Sequence, residues 1–353
     1  LNSIFVNFNF DTEMNGMPVR AQIGLRYEDE ERASTATTTV PTNTAWSLGA
    51  FVYGNKVGVI TEPTVYTGIG DSDYLLPNIN ISVDVNDDTV VRTSLSKTIA
   101  RPDLEQLDST VSVGAFDPRH PLTLGTGNPN LQPEKAESST LGFVFTPVDG
   151  LDITLDFYQV EIKETIGTYG SQVILDQCAT TGSATFCDLI TRYEAPPSLK
   201  YHVLEIKNLL TNVGEESYNG VDFYMNYDSP DLVNGWNYSL GYLIAYTNKF
   251  EETILGTATE YAGTQVEDKF GLIPEIRASG YMTWSKDFLS IEYNLRYIGE
   301  AEEENYGGTL WDVDSIAYHD VKFNFSIGDN FLVTLGINTV SYTHLTLPTN
   351  REV

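Results

Sequence analysis

The sequence is poor in the residues on which most enzymes depend. It holds four histidines, two cysteines and four methionines in 353 residues. His120, His202, His319 and His344 stand far apart, in none of the spacings by which zinc is held. There is no G-x-S-x-G elbow, no phosphate-binding loop and no dinucleotide fingerprint. Asp152 and Asp156 share one face of an expected strand and could mimic a catalytic carboxylate pair. Polar residues opposite an apolar face account for them without catalysis. No catalytic residue, resident cofactor or metal site is therefore expected. Positive charge is scarce too: 20 Lys and Arg stand against 49 Asp and Glu, a net charge of −29. Nucleic acid, whose phosphates need a basic surface, is excluded as a partner. No run of eighteen apolar residues exists, so no transmembrane helix is expected, and a β-barrel needs none. No signal peptide is present. The pattern is already that of a strand at Leu1, which suggests a segment of a longer protein.

The two cysteines, Cys178 and Cys187, share one long polar stretch. Such a pair fits a disulfide in an oxidising compartment. A metal site would need further ligands nearby, and the spacing is not that of a Cys-x-x-Cys redox motif.

What the sequence does have is a rhythm. Ile291, Tyr293, Leu295 and Tyr297 alternate with Glu292, Asn294 and Arg296. The same period of two recurs at 4–10, 19–27, 79–85, 221–227, 238–246, 321–327 and 331–337, as strands with one apolar and one polar face require. The connections alternate between short and long. Asn86-Asp87-Asp88, Pro147–Gly150, Ser229–Gly235, Ser285-Lys286-Asp287 and Gly328-Asp329-Asn330 are tight turns. Between them lie the stretches 101–135, 164–203, 250–268 and 300–316, a membrane-barrel asymmetry. Twenty-one tyrosines suit the aromatic girdles of such a barrel.

About twelve spanning strands follow from this pattern. Leu204–Asp228 reads as one long strand, with Gly214 as a kink or bulge. The segment 46–73 reads poorly and suggests strands passing beyond the membrane, joined by loose loops. At 150–163 the apolar phase switches between Phe157 and Tyr158. Either a bulge or an exit from the bilayer explains that. The acidic runs Glu28-Asp29-Glu30-Glu31 and Glu302-Glu303-Glu304 read as solvated loop surface, with a divalent-cation site as the alternative.

Two motifs carry a family resemblance. The first is Leu95-Ser96-Lys97-Thr98-Ile99-Ala100-Arg101-Pro102-Asp103-Leu104. The second, Gly127-Asn128-Pro129-Asn130-Leu131-Gln132-Pro133-Glu134-Lys135-Ala136, resembles a "GNPxLxPE" stretch. In this order and spacing they resemble the barrel of a TonB-dependent receptor. The residues most specific to the resemblance are Ala100, Arg101, Pro102 and Asp103, then Gly127, Asn128, Pro129, Leu131, Pro133 and Glu134. The resemblance implies an all-β fold: the C-terminal part, over residues 1–339, of a transmembrane antiparallel barrel of about twenty-two strands, within the range of outer-membrane barrels. It implies a cell outer membrane location in a Gram-negative bacterium. It also implies a TonB complex as partner, reached through an N-terminal plug that this sequence lacks. The ligand would be a scarce nutrient bound at external loops: a siderophore, haem, cobalamin or an oligosaccharide. A passive porin-like channel and a secreted β-rich adhesin are the alternatives. From about residue 340 the family pattern stops, and 340–353 resembles a translated sequencing adapter, a foreign tail.

Overall fold

Twelve long strands form one antiparallel sheet in which each pairs with the next in the chain. They are β1 (Asn2–Met14), β2 (Met17–Ala45), β3 (Gly58–Asn86), β4 (Thr89–Ala100), β5 (Glu134–Val148) and β6 (Leu151–Gly167), then β7 (Thr211–Asp228), β8 (Asn237–Ile254), β9 (Ile276–Lys286), β10 (Leu289–Ile298), β11 (Ile316–Ile327) and β12 (Phe331–Tyr342). This is a computed structural model, and it describes residues 1–45, 58–108, 111–113, 122–192, 203–230, 234–266, 271–304, 310–328 and 330–342. His120, His202 and most of the expected tail lie outside the described residues. Among those described, β1 and β12 each have one neighbour, so the sheet is open.

Connections alternate as the sequence leads one to expect. Asn15-Gly16 closes β1 onto β2 with φ of 55° and 80°, the left-handed pair that a two-residue hairpin of matching twist requires. At the other end, the long connections carry two small sheets. One joins strands at 111–113, 122–126, 203–207 and 190–192; the other joins 271–273, 264–266, 301–304 and 310–313.

Three readings are refined. The strands expected to pass beyond the membrane within 46–73 are found over 58–73, and they pair with the Thr-rich 33–45 along the outer halves of two strands of 29 residues. At about 3.3 Å per residue, such strands run roughly 95 Å, far past any bilayer. The strand expected over Leu204–Asp228 is two elements, because 203–207 belongs to a small sheet and β7 starts at Thr211. Gly214 does sit at a register shift, as a bulge. At Phe157 no bulge occurs in β6. The strand runs on in register, and its apolar face turns polar instead: Leu155 and Phe157 give way to Gln159, Glu161 and Lys163. That is an exit from an apolar layer.

The cross-strand register places one side chain of each pair beside its partner on the same face. A single apolar belt results, from Ile4, Phe8 and Phe10 through Ile23, Ile81, Leu141, Leu155, Phe223 and Ile244 to Ile291, Phe323 and Leu335. Many of these are bare: Ile4 is 72% exposed and Leu335 58%. Soluble proteins do not leave patches of this extent open. The opposite face is polar and internally paired. Arg20 meets Asp84 at 2.5 Å, Arg92 meets Asp156 at 2.7 Å, and Ser94 meets Thr140 at 2.7 Å. Asp156 is thus an ion-pair partner.

The belt crosses the sheet diagonally. One row of paired residues runs from Thr12 through Val83, Phe143, Leu155, Phe223 and Tyr297 to Ser341. On β1 the apolar residues centre on Asn7, five residues to the long-connection side of that row. On β12 they centre on Thr334, seven residues to the short-turn side. An offset of twelve residues is about 40 Å along the strands, over eleven strand spacings of about 4.8 Å, or roughly 53 Å across. The strands are therefore inclined by about 37° to the belt normal, within the 35–45° of membrane barrels.

Candidate functional site

Where the belt ends, on the side of the long connections, the motif residues come together. β2 carries Glu28-Asp29-Glu30-Glu31 past the belt. Because side chains alternate, Glu28 and Glu30 turn to the polar face, opposite the side taken by Leu25 and Tyr27. This corrects the reading of a solvated acidic loop: the run lies within a strand and Glu28 is 3% exposed. Arg101 closes over the two carboxylates, with Nε donating to Glu30 at 2.5 Å and Nη2 donating to Glu28. Arg26 reaches Glu28 at 2.5 Å, and Arg32 stands 3.6 Å from Glu30. Buried carboxylates persist only when matched in this way. The hydrogen bond to Glu30, more than any other cause, holds the Arg101 guanidinium above its ordinary pKa. Pro102 is buried beneath the turn, and the Asp103 N–H donates to Gln106 Oε1 at 2.8 Å.

The second motif locks onto the first. Ala100 pairs with Glu134 at the ends of β4 and β5. The Asn128 N–H donates to the Gln106 carbonyl at 2.7 Å. A Cβ on Gly127 would lie 2.2 Å from the Asp108 carbonyl and 2.7 Å from that of Gln106, so no side chain fits there. Asn128 Nδ2 donates to the Leu210 carbonyl at 3.0 Å. Pro129 packs on Gly68 of β3, where an added Cβ would overlap its ring. Leu131 and Pro133 are among the most buried side chains described. Asn212 exchanges hydrogen bonds with the Gln132 backbone at 2.9 and 2.8 Å and donates to the Glu164 carbonyl at 2.7 Å. Glu134 Oε1 accepts the Ile166 N–H at 2.8 Å. The ten motif residues thus form a clasp that ties β2 through β7 together at one rim and sets where two long connections leave it. The sequence alone does not assign Gly68 and Asn212, two of its other members, to the clasp, and it shows Glu28 and Glu30 only as part of an acidic run. The phase of Ile23, Leu25 and Tyr27, continued past Tyr27, would have found the two acids.

Beyond the clasp, the connection from β6 to β7 folds as a small body of its own. α1 (Ser171–Thr181) and α2 (Ala184–Cys187) enclose Ile174, Phe186 and Ile206. Tyr169 meets the Phe186 ring edge-on at 5.1 Å. Cys178 and Cys187 are joined in a disulfide that ties α1 to α2. Among the described residues no group of His, Cys, Asp and Glu could hold a metal ion, and no helix is long and apolar enough to cross a membrane.

The sequence profile of the TonB dependent receptor-like β-barrel matches residues 2–340. A search of curated proteins returns no match. Similar solved structures include the siderophore receptor PirA from Acinetobacter baumannii, at 13% identity and a TM-score of 0.53, over 95% of this chain and 50% of that one. The ferric enterobactin receptor PfeA from Pseudomonas aeruginosa is another, at 12% identity and a TM-score of 0.54, over 95% of this chain and 48% of that one. The chain spans about half the length of these receptors.

Proposed function

The chain belongs to the TonB-dependent receptor-like β-barrel family, and from that membership we propose that its parent protein takes up a scarce nutrient across a Gram-negative outer membrane. The observation that supports this best is the belt: bare on one face, inclined to the strands by a barrel's angle, and ending at a clasp built from the family's own motifs. In this reading the apolar face meets lipid, because only there does so much bare apolar surface cost nothing. The polar face lines the interior. The long connections, with their small sheets and disulfide-tied helices, project outward and meet the ligand. The short turns face the periplasm.

No step of this function is catalytic. The chain's residues bind, close a wall and hold loops in place. The energy comes from the TonB complex, acting through a plug domain inside the barrel. PirA and PfeA, two solved receptors of like fold, are a siderophore receptor and a ferric enterobactin receptor, which makes ferric chelates the first ligands to try, with haem, cobalamin and oligosaccharides after them.

The test is uptake by the full-length receptor in cells before and after an uncoupler dissipates the inner-membrane proton gradient. Binding to the cell surface should persist and accumulation should stop. Accumulation that continues in the uncoupled cells would instead fit a passive channel.

A further inference from the structure

The chain holds three Asn-Gly pairs, and the fold treats each differently. At such a pair a main-chain nitrogen can attack the side chain before it, because glycine puts no Cβ in the way. Asn15-Gly16 is the turn between β1 and β2, with both residues exposed and nothing within 4 Å of where a Cβ on Gly16 would stand. Among the described residues, no turn hydrogen bond uses the Gly16 N–H. Asn234-Gly235 precedes β8 with the same left-handed pair, at φ of 54° and 80°. There the peptide unit between the two residues is held. Lys286 Nζ donates to the Asn234 carbonyl at 3.2 Å, the Lys286 chain would lie 3.2 Å from a Cβ on Gly235, and its ammonium stands 5.9 Å from the centre of the Trp236 ring. Asn219-Gly220 lies inside β7, paired on both sides. Asn219 Oδ1 accepts from Asn248 Nδ2 at 2.7 Å, and the Tyr158 hydroxyl would lie 2.5 Å from a Cβ on Gly220.

We propose that Asn15 is a site of spontaneous main-chain modification, while Asn234 and Asn219 are protected by their surroundings. Once the turn opens, the Gly16 nitrogen gives up its proton and bonds to Asn15 Cγ. The Cγ–Nδ2 bond breaks, and the side-chain nitrogen takes up a proton and leaves as ammonia. The product is a cyclic succinimide. Water then adds to one of the two ring carbonyls. Opening at one gives aspartate in an ordinary chain; opening at the other gives isoaspartate, whose main chain is longer by a methylene. Water is the only co-reactant, and nothing is oxidised or reduced. Ring closure has to turn the peptide unit out of the hairpin geometry, so each site reacts through its locally opened state. Asn15 is held by its turn alone. Asn234 must also give up the Lys286 contact, which is worth about tenfold in the opening equilibrium. That contact is gone in the open state, so the Lys286 charge does not assist the reaction there. Asn219 would have to leave the ladder on both sides. Aspartate at position 15 suits the same two-residue turn, whereas isoaspartate lengthens a loop whose length fixes the β1–β2 register. The inference rests on these turns and is independent of what the receptor transports.

The experiment ages the full-length receptor, folded in lipid vesicles, in buffered water enriched in heavy oxygen, and follows the three peptides by digestion and mass spectrometry. Heavy oxygen marks a succinimide hydrolysed during the ageing. The Asn15 peptide should acquire it and split into an aspartyl and an isoaspartyl form, faster as pH rises. The Asn234 peptide should lag by about tenfold, and the Asn219 peptide by more. In denaturant the three should react alike, since only the fold separates them. Lys286→Met should bring Asn234 towards the Asn15 rate, with heat-modifiable gel mobility reporting that the variant is folded. Equal rates at Asn15 and Asn234 in the folded receptor, an Asn15 as inert as Asn219, or an Asn234 rate unmoved in folded Lys286→Met would overturn the proposal.

Discussion

Leu155 and Ala317 lie in one hydrogen-bonded row of the sheet, yet the inclination of the strands puts them at different depths. From β6 to β11 the row crosses five strand spacings, or about 24 Å. At an inclination of about 37°, that is roughly 14 Å of depth, more than half of the 25 Å apolar band of a membrane barrel. Leu155 is near the middle of the apolar run on β6. Ala317 stands two pairs beyond Val321, with the polar His319 between them. An arginine at position 155 should therefore cost about 2–4 kcal/mol, and one at position 317 about 0–1 kcal/mol. Hydrogen bonding within the row, strand order and face are the same for both, so the difference isolates depth. The measurement is a denaturant titration of the full-length receptor refolded into lipid vesicles, with each variant compared at equal slope. Equal costs at the two positions would refute the inclination, and a larger cost at Ala317 would place the band elsewhere.

Other outcomes follow from the clasp, the topology and the tail. Arg101→Ala leaves the buried Glu28 and the partly buried Glu30 short of one partner and should destabilise the rim by about 1–3 kcal/mol, discounted for Arg101 being a third exposed. Hydrogen exchange at 101–108 and 127–134 should rise while the belt stays protected; unchanged exchange there would contradict a clasp. Gly127→Ala should act in the same direction, because the Asp108 and Gln106 carbonyls must move. In intact cells, with Cys178 and Cys187 replaced, an impermeant thiol reagent should label a cysteine at Ala184 but not one at Lys286, and the opposite pattern would invert the topology. Sequencing the genomic locus should show that the codons after about residue 340 differ from those read here. A locus that encodes Ser341–Val353 unchanged would make the tail native.

The strands were legible because lipid makes a harsh selector. One face must be apolar at every second residue, so the period of two survives in β10 and β12 without help from distant residues. The diagonal was not legible, since it exists only once register relates Thr12 to Ser341 across eleven neighbours. The motif residues were found by resemblance, but their work was not. Pro129 on Gly68 and Asn212 on Gln132 join residues some sixty to eighty positions apart. The short strands at 111–113 and 264–266 gave no periodic signal, being three residues each. The outer halves of β2 and β3 read poorly because threonine and glycine there replace the alternating apolar residues.

The central claim is energy-coupled uptake through an outer-membrane barrel, and the most direct measurement compares accumulation of a labelled ferric chelate by the full-length receptor in TonB-positive and TonB-deficient hosts. Haem, cobalamin and labelled oligosaccharides are run alongside, and outer-membrane levels of the receptor are matched. Accumulation of one of these ligands in the TonB-positive host alone is the predicted result. Equal accumulation in both hosts would contradict the account and leave a passive channel in its place.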